Sequence, residues 1–97
     1  MRSISELRPE AAVKIEILYF AWVRERIGKA SETIELPAGV DTVADLVRLL
    51  RSKGVEYEQA FAKPEVVRAA IDRQHVKPDT RIGTAREVAF FPPVTGG

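Results

Sequence analysis

The last six residues carry the pattern with the clearest chemical meaning: Pro92, Pro93, Val94 and Thr95 lead to Gly96 and Gly97. Six extended residues span roughly 20 Å, enough to carry a terminal carboxylate clear of a small domain. Glycines have no side chain and permit unusual backbone angles, so such a tip suits a narrow channel lined by another protein's catalytic groups. We therefore predict that the backbone carboxylate of Gly97 is the reactive group, with Gly96 beside it.

An inert tail is the alternative interpretation. Chain ends are often rich in glycine and frayed. With glycine at about 7% of residues, two terminal glycines arise by chance in roughly one chain in two hundred. The glycine pair alone does not decide between a reactive and an inert tail.

The side chains offer little for catalysis. The chain has no cysteine, which excludes a thiol nucleophile, a disulfide and metal binding through thiolates. His75 is the only histidine, and the sequence around it favours a surface or strand position over a metal ligand or base. Arg24 and Glu25 are interpreted as part of a solvated charged face. Because no nucleophile with its base and no nucleotide-binding loop is evident, a stand-alone enzyme is the least favoured class.

Length and charge restrict the class of protein further. The 97 residues are enough for one domain with a single core. Lysine and arginine total 15 against 14 acidic residues, and this balance gives no reason to expect nucleic acid or an anionic membrane as a partner. No apolar run is long enough to span a membrane and no signal peptide is evident, so a cytoplasmic location is expected.

Hydrophobic periodicity predicts the elements that position the tail. A period of two predicts strands at residues 13–20 and 31–36, joined around a short helix at 21–28 that Gly28 ends. The clearest helix is predicted over 43–53, with Thr42 and Asp45 as a capping box and Gly54 as a left-handed residue after its end. Further strands are predicted at 66–71, 75–77 and 87–91, and Pro92 and Pro93 stop the last one. The domain division is thus a flexible extension over 1–12, a folded domain over 13–91 and an extended tail over 92–97.

Four segments together resemble a known family: YFAWVRERIG, DTVADLVRLLRSKG, AIDRQHV and EVAFFPPVTGG. In order and spacing they resemble the small subunits of molybdopterin synthase, which are ubiquitin-like sulfur carriers. The resemblance covers residues 14–97 and is most specific at the ending. It implies an α+β fold, a ubiquitin-like β-grasp whose mixed sheet of four to five strands is covered by one main helix. The periodicity alone leaves a ferredoxin-like arrangement open.

The resemblance also implies a cycle on Gly97. An E1-like activating enzyme uses ATP to adenylate the carboxylate, and a sulfur donor protein converts it to a thiocarboxylate. The tail then enters the large subunit of molybdopterin synthase, within a heterotetramer, and gives its sulfur to cyclic pyranopterin monophosphate for molybdenum cofactor biosynthesis. The chain itself is expected to bind no cofactor and to have no activity alone. A carrier for thiamine, thiolated transfer RNA or cysteine synthesis, a protein modifier and a plain binding domain remain alternatives.

A partner surface is predicted around the last strand. Phe90 and Phe91 lie on opposite faces, so one is expected in the core and the other on the surface. We predict that Phe90, Phe91, Pro92, Pro93, Val94 and Thr95 form the partner-binding surface, because exposed apolar patches normally mark binding sites. Trp22 is interpreted either as an anchor for a partner or as a residue packed beside the first strand.

Overall fold

The computed structural model describes residues 13–93, so the predicted extension 1–12 and the tail residues 94–97 lie outside the described part of the chain. Five strands, three α-helices and one short 3₁₀ helix follow each other in the order β1, α1, β2, α2, α3, 3₁₀ helix, β3, β4, β5. Their bounds are β1 Val13–Tyr19, α1 Ala21–Ile27, β2 Ser31–Leu36, α2 Val43–Arg51, α3 Val55–Ala60, the 3₁₀ helix Pro64–Val66, β3 Arg68–Ile71, β4 Gln74–Val76 and β5 Glu87–Phe91.

The strands form one mixed sheet in the order β2-β1-β5-β3-β4. β1 pairs with β2 antiparallel and with β5 parallel, while β3 pairs antiparallel with both β5 and β4. Because β1 and β5 are parallel, both finish at the same end of the sheet, and β3 begins there, with Arg68 opposite Phe91. We call this end of the molecule the tail end. The predicted hairpin of the first two strands and the bounds of β2 and β5 are confirmed.

Helix α2 covers one face of the sheet, and its buried side is the apolar side that the helical period predicts. Val43, Leu46 and Leu50 are buried, at spacings of three and four residues that place them on one side of a helix. They pack against inward residues of β1, which are buried at alternate positions as the period of two predicts. The largest fully buried side chains of the core are Tyr19, Phe61, Phe90, Ile15, Ile17, Leu46, Leu50, Val23 and Val88.

The start of α2 has the predicted capping box. The Thr42 hydroxyl accepts a hydrogen bond from the backbone N–H of Asp45 at 3.1 Å, and the Asp45 carboxylate accepts one from the N–H of Thr42 at 3.2 Å. The same carboxylate accepts a bond from the N–H of Asp41 at 3.0 Å. These backbone bonds hold the pKa of Asp45 below its usual range. The cap therefore satisfies amides that a helix start leaves without partners.

Replacement of Thr42 by alanine is expected to lower the free energy of unfolding by about 1 kcal/mol, because the first turn of α2 loses its side-chain acceptor. Chemical denaturation measures this change. Thr84→Ala, at an exposed turn residue, is the control and is expected to change the unfolding free energy by less than about 0.5 kcal/mol. An equal loss in both variants would show that the cap contributes nothing of its own.

The structure corrects the segment after α2. The predicted left-handed Gly54 is extended, with φ 170° and ψ 170°, and α2 ends at Arg51 with Ser52 as its C-cap. Gly54 instead precedes α3, a helix that the hydrophobic periodicity does not predict. Six residues are too few to show a helical period, although Tyr57 and Ala60 are buried on one face. Gly28, by contrast, is left-handed as predicted, with φ 90°.

The β3–β4 hairpin also differs in its bounds. β3 begins at Arg68 rather than at residue 66, because Pro64 starts a 3₁₀ turn that occupies the preceding residues. Asp72 and Arg73 form the turn with positive φ angles of 47° and 75°. The Asp72 carboxylate accepts hydrogen bonds from the backbone N–H groups of Arg86 and Glu87, at 3.0 and 3.1 Å. The Asp72 carboxylate thus links the hairpin turn to the start of β5. A positive φ angle at Asp72 is compatible with its short polar side chain, which can hydrogen-bond locally.

Across residues 13–93, no helix has the length and apolar character that crossing a membrane requires.

Candidate functional site

The root of the tail is held on both sides. The N–H of Phe20 donates to the carbonyl of Phe90 at 3.1 Å on the β1 side, and Arg68 pairs with Phe91 on the β3 side. Pro92 and Pro93 follow, and since neither has an N–H group the ladder stops there. The tail therefore leaves the sheet from its central strand. Val94, Thr95, Gly96 and Gly97 lie outside the described residues, and their roles stay predictions.

Phe90 and Phe91, at the end of β5, point to opposite faces of the sheet, as the period of two requires. This removes Phe90 from the predicted partner-binding residues. Phe90 is 1% exposed and packs edge-on against Phe61 with ring centroids 5.1 Å apart, while Tyr19 stacks beside it at 6.4 Å. It belongs to the core and presents no surface to a partner. Phe91 points to the opposite face and is half-buried. Of the pair, only Phe91 remains as a partner-binding candidate.

The sheet face opposite the helices carries an apolar surface that includes Phe91. We call it the open face, and it is lined by Leu18, Phe20, Ala70, Arg73, His75, Glu87, Ala89 and Phe91. Phe20 is 47% exposed. His75 lies on β4, as predicted for a strand residue, with its ring centroid 5.0 Å from that of Phe91. An exposed apolar surface with a few charges around it is typical of a protein-binding site rather than of a catalytic one.

A second surface lies on the helical side of the tail end. Trp22 is half-buried beside the core, and the Arg26 guanidinium carbon lies 4.7 Å from its ring centroid. Lys63 and Val66 line the same depression, and Val66 is 37% exposed. Sequence reasoning missed this grouping, apart from the two interpretations of Trp22, because it unites α1 with a segment nearly forty residues later. A contact between segments so far apart in the chain produces no pattern within either segment.

The exposed charges of α1 behave as the sequence analysis interpreted them. Arg24 and Glu25 are both exposed, and within residues 13–93 their side chains form no hydrogen bond or ion pair. A solvated charged face is therefore their structural role.

A cavity of about 270 Å³ lies between α2 and the β3–β4 hairpin. Apolar side chains line most of it, with Arg48 and Arg51 on its helical side. Glu65 is the only acid among its lining residues, which include no serine, threonine or histidine. The hydroxyl, thiol and imidazole groups that most often act as nucleophile and base are therefore absent from its lining. Within the described part of the chain, no group of three His, Cys, Asp or Glu residues is placed to hold a metal ion.

A polar cluster under α3 joins three elements of the fold. The Glu32 carboxylate on β2 accepts hydrogen bonds from the Tyr19 hydroxyl at 2.7 Å and the Tyr57 hydroxyl at 2.8 Å. Lys29 and Lys53 approach the same carboxylate at 3.4 and 3.8 Å. The carboxylate is nearly buried, with 12% of its side chain exposed. We call these five residues the Glu32 cluster.

Burial and hydrogen bonding act in opposite directions on the pKa of Glu32 and in the same direction on the pKa of Tyr19. Burial alone would raise the pKa of Glu32, but the hydrogen bonds from Tyr19 and Tyr57 and the two lysines lower it more, so its pKa lies below the usual range. Burial, followed by the bond to Glu32, raises the pKa of Tyr19 far above that of a free tyrosine. The cluster is thus fixed with one carboxylate charged and both hydroxyls protonated. Sequence reasoning missed it, although an inward tyrosine always needs a partner for its hydroxyl.

A mixed sheet in the order β2-β1-β5-β3-β4, with a capped helix across one face and a tail that leaves from the central strand, defines a ubiquitin-like β-grasp protein. This confirms the predicted fold class. The sequence profile of the ThiS family matches residues 17–97. The chain belongs to the ThiS family.

Similar proteins agree with this assignment. The chain is 36% identical to the molybdopterin synthase sulfur carrier subunit of Dictyostelium discoideum, over 87% of this chain and 96% of that one. It is 35% identical to the Escherichia coli protein of the same name, over 86% of this chain and 99% of that one. A Pyrococcus furiosus structure, provisionally described as molybdopterin converting factor subunit 1, aligns with a TM-score of 0.69 and 29% identity, over 86% of this chain and all of that one. SAMP1 of Haloferax volcanii aligns with a TM-score of 0.64 over 87% of this chain and 99% of that one, and its 20% identity supports the fold alone.

Proposed function

We propose that this chain is the sulfur carrier subunit of a molybdopterin synthase and that the carboxylate of Gly97 carries the sulfur. The observation that supports this most is the family match through residue 97 together with relatives that bear this name over nearly their whole length. The strand geometry is consistent with it, because the central strand fixes the direction in which Pro92 and Pro93 leave the sheet.

The proposed chemistry uses only backbone atoms of this chain. A carboxylate oxygen of Gly97 attacks the α-phosphorus of ATP on an activating enzyme, which releases pyrophosphate and forms an acyl-adenylate. A sulfur donor protein then supplies sulfur at the sulfide level, which attacks the acyl carbon, displaces AMP and leaves a thiocarboxylate. An ionised thiocarboxylate presents a polarisable sulfur at neutral pH, which a carboxylate lacks. Inside the large subunit that sulfur bonds to a carbon of cyclic pyranopterin monophosphate, and water cleaves the acyl–sulfur bond and restores the Gly97 carboxylate. Two such deliveries build a dithiolene.

Acid and base groups for the transfer come from the large subunit in this proposal. In support, the open face is an apolar surface that includes Phe91, and the cavity between α2 and the β3–β4 hairpin has no serine, threonine, cysteine or histidine among its lining residues. The complex is proposed to be a heterotetramer. The cytoplasmic location and the absence of a resident cofactor stay predictions.

Intact-mass analysis of the protein isolated from its own cell tests this proposal. A fraction of the chains is expected to be heavier by one exchange of oxygen for sulfur, and fragmentation is expected to place the exchange at Gly97. Co-purification with a molybdopterin synthase large subunit distinguishes this pathway from thiamine, transfer RNA or cysteine synthesis. Chains without the sulfur species, from cells that make molybdenum cofactor, would overturn the proposal.

Replacement of Phe91 by alanine is expected to weaken binding to the large subunit about tenfold or more, because an aromatic anchor at the centre of an interface is worth at least about 1.4 kcal/mol. Titration calorimetry with the purified large subunit measures the affinity. Val55→Ala, at an apolar residue that is 68% exposed and not part of the open face, is the matched control. Equal affinities for the two variants would exclude the open face from the interface.

A further inference from the structure

We propose that the surface formed by Trp22, Arg26, Lys63 and Val66 is a second contact site for the large subunit and that it binds an apolar residue surrounded by Asp or Glu side chains. We call this surface the Trp22 patch. The inference rests on the proposed function and extends it to a residue set on the opposite side of the tail from the open face.

The residues of the Trp22 patch lie close in the chain to the residues that hold the root of the tail. Trp22 follows Phe20, whose N–H donates to the carbonyl of Phe90 in the last strand. Val66 precedes β3 by two residues, and β3 begins opposite Phe91. A protein that surrounds the tail as it leaves the sheet therefore meets the open face on one side and the Trp22 patch on the other.

The chemistry of the Trp22 patch indicates the nature of its partner. Two cations, Arg26 and Lys63, and no carboxylate are found among the residues that line the depression. Trp22 and Val66 supply apolar surface between them, and the guanidinium of Arg26 lies over the indole. Tryptophan and arginine are the side chains most enriched among residues that dominate binding energy. An apolar centre with a cationic edge is complementary to an apolar residue with acidic neighbours.

The size of a stable interface supports a second contact. An interface that holds two proteins together uses about 800 Å² and about 20–30 residues on each partner. Eight residues line the open face, and the predicted tail adds six. Further surface on this chain would help to form a stable complex, and the Trp22 patch offers apolar surface with a cationic edge on the helical side of the tail end.

A charge-reversal pair provides the test. In the full chain, Arg26→Glu with Lys63→Glu reverses both cations of the Trp22 patch. In the control, Arg81→Glu with Arg86→Glu makes the same charge change at exposed residues at the other end of the sheet, where β1 and β5 begin. Association of each with the purified large subunit is measured by stopped-flow fluorescence at several salt concentrations.

The patch variant is expected to associate at least about tenfold more slowly than the wild type at low salt, and to lose most of the wild-type dependence on salt. The control is expected to stay within about twofold of the wild type. Thermal unfolding of each variant shows whether it is folded, and Trp22→Phe, which keeps an apolar ring, provides a milder change of the same surface. Equal association of the folded patch variant and the control would overturn this inference alone. A wild-type chain that does not bind the large subunit would overturn the proposed function as well.

Discussion

Deletion of Gly97 is expected to reduce sulfur transfer at least about 100-fold, while the free energy of unfolding changes by less than about 0.5 kcal/mol. Loss of one residue withdraws the terminal carboxylate by about 3.5 Å. Misplacement of a reacting group by about 1 Å is already enough to cost two orders of magnitude. The assay combines the chain with its activating enzyme, sulfur donor, large subunit and cyclic pyranopterin monophosphate, and measures molybdopterin.

Two further variants test whether activity depends on the position of the terminal carboxylate or on the presence of the native tail residues. Addition of one alanine after Gly97 keeps every native residue and moves the carboxylate, so it is expected to be as inactive as the deletion. Thr95→Ser keeps both the length and the terminus and is expected to remain active. Full activity of the extended chain would show that the terminal carboxylate of Gly97 is not the reacting group. A large loss of stability in the deletion would show instead that the tail is structural.

Replacement of Glu32 by alanine is expected to lower the free energy of unfolding by about 2–4 kcal/mol, because the buried hydroxyls of Tyr19 and Tyr57 lose their charged acceptor. This is a large share of the 5–15 kcal/mol that holds a typical domain together. Glu35→Ala removes an exposed carboxylate from the same strand and is expected to change the unfolding free energy by less than about 0.5 kcal/mol. Urea denaturation at neutral pH compares the two variants.

The effect of Glu32 is expected to depend on pH. Its pKa is lower in the folded chain than in the unfolded chain, so its stabilisation is complete above the unfolded pKa and is lost as the pH falls through the folded pKa. The difference in stability between wild type and Glu32→Ala should therefore shrink on acidification below pH 5 or so. Asp45 and Glu58 also have lowered pKa values, but both variants retain them and their contributions cancel. A difference that stays constant down to about pH 2 would contradict the charged role of Glu32.

Local patterns were enough to predict much of the fold. The alternation around Ile15 and Ile17 predicted a strand with one buried face, and the capping box at Thr42 predicted where α2 begins. Both signals depend on neighbours within a few residues, where backbone geometry determines which side chains share a face. The order of strands in the sheet required the family resemblance, because the periodicity alone also permitted another arrangement.

Features that depend on distant contacts were not predictable from the sequence. In the Glu32 cluster, Tyr57 donates to a carboxylate that lies 25 positions earlier in the chain. The period of two places Glu32 on the covered face of its strand and Glu35 on the exposed face, but no local pattern shows that two tyrosine hydroxyls bind the Glu32 carboxylate. The helix over residues 55–60 is short and forms because Tyr57 and Ala60 find a core to pack against. The sequence showed that Phe90 and Phe91 face opposite ways, but only the position of α2 decides which face is covered.

The central position of β5 has a consequence for the order in which the molecule assembles. The β1–β2 pair and the β3–β4 pair are each formed by neighbouring segments, and in the sheet β5 alone lies between them. Without β5, no backbone hydrogen bonds in the sheet connect the two strand pairs. The core side chains that Phe90 covers in the folded chain are then exposed to water. Completion of the sheet and fixation of the tail root are thus the same event. Enzymes that recognise the tail on this framework would select finished chains over unfolded ones.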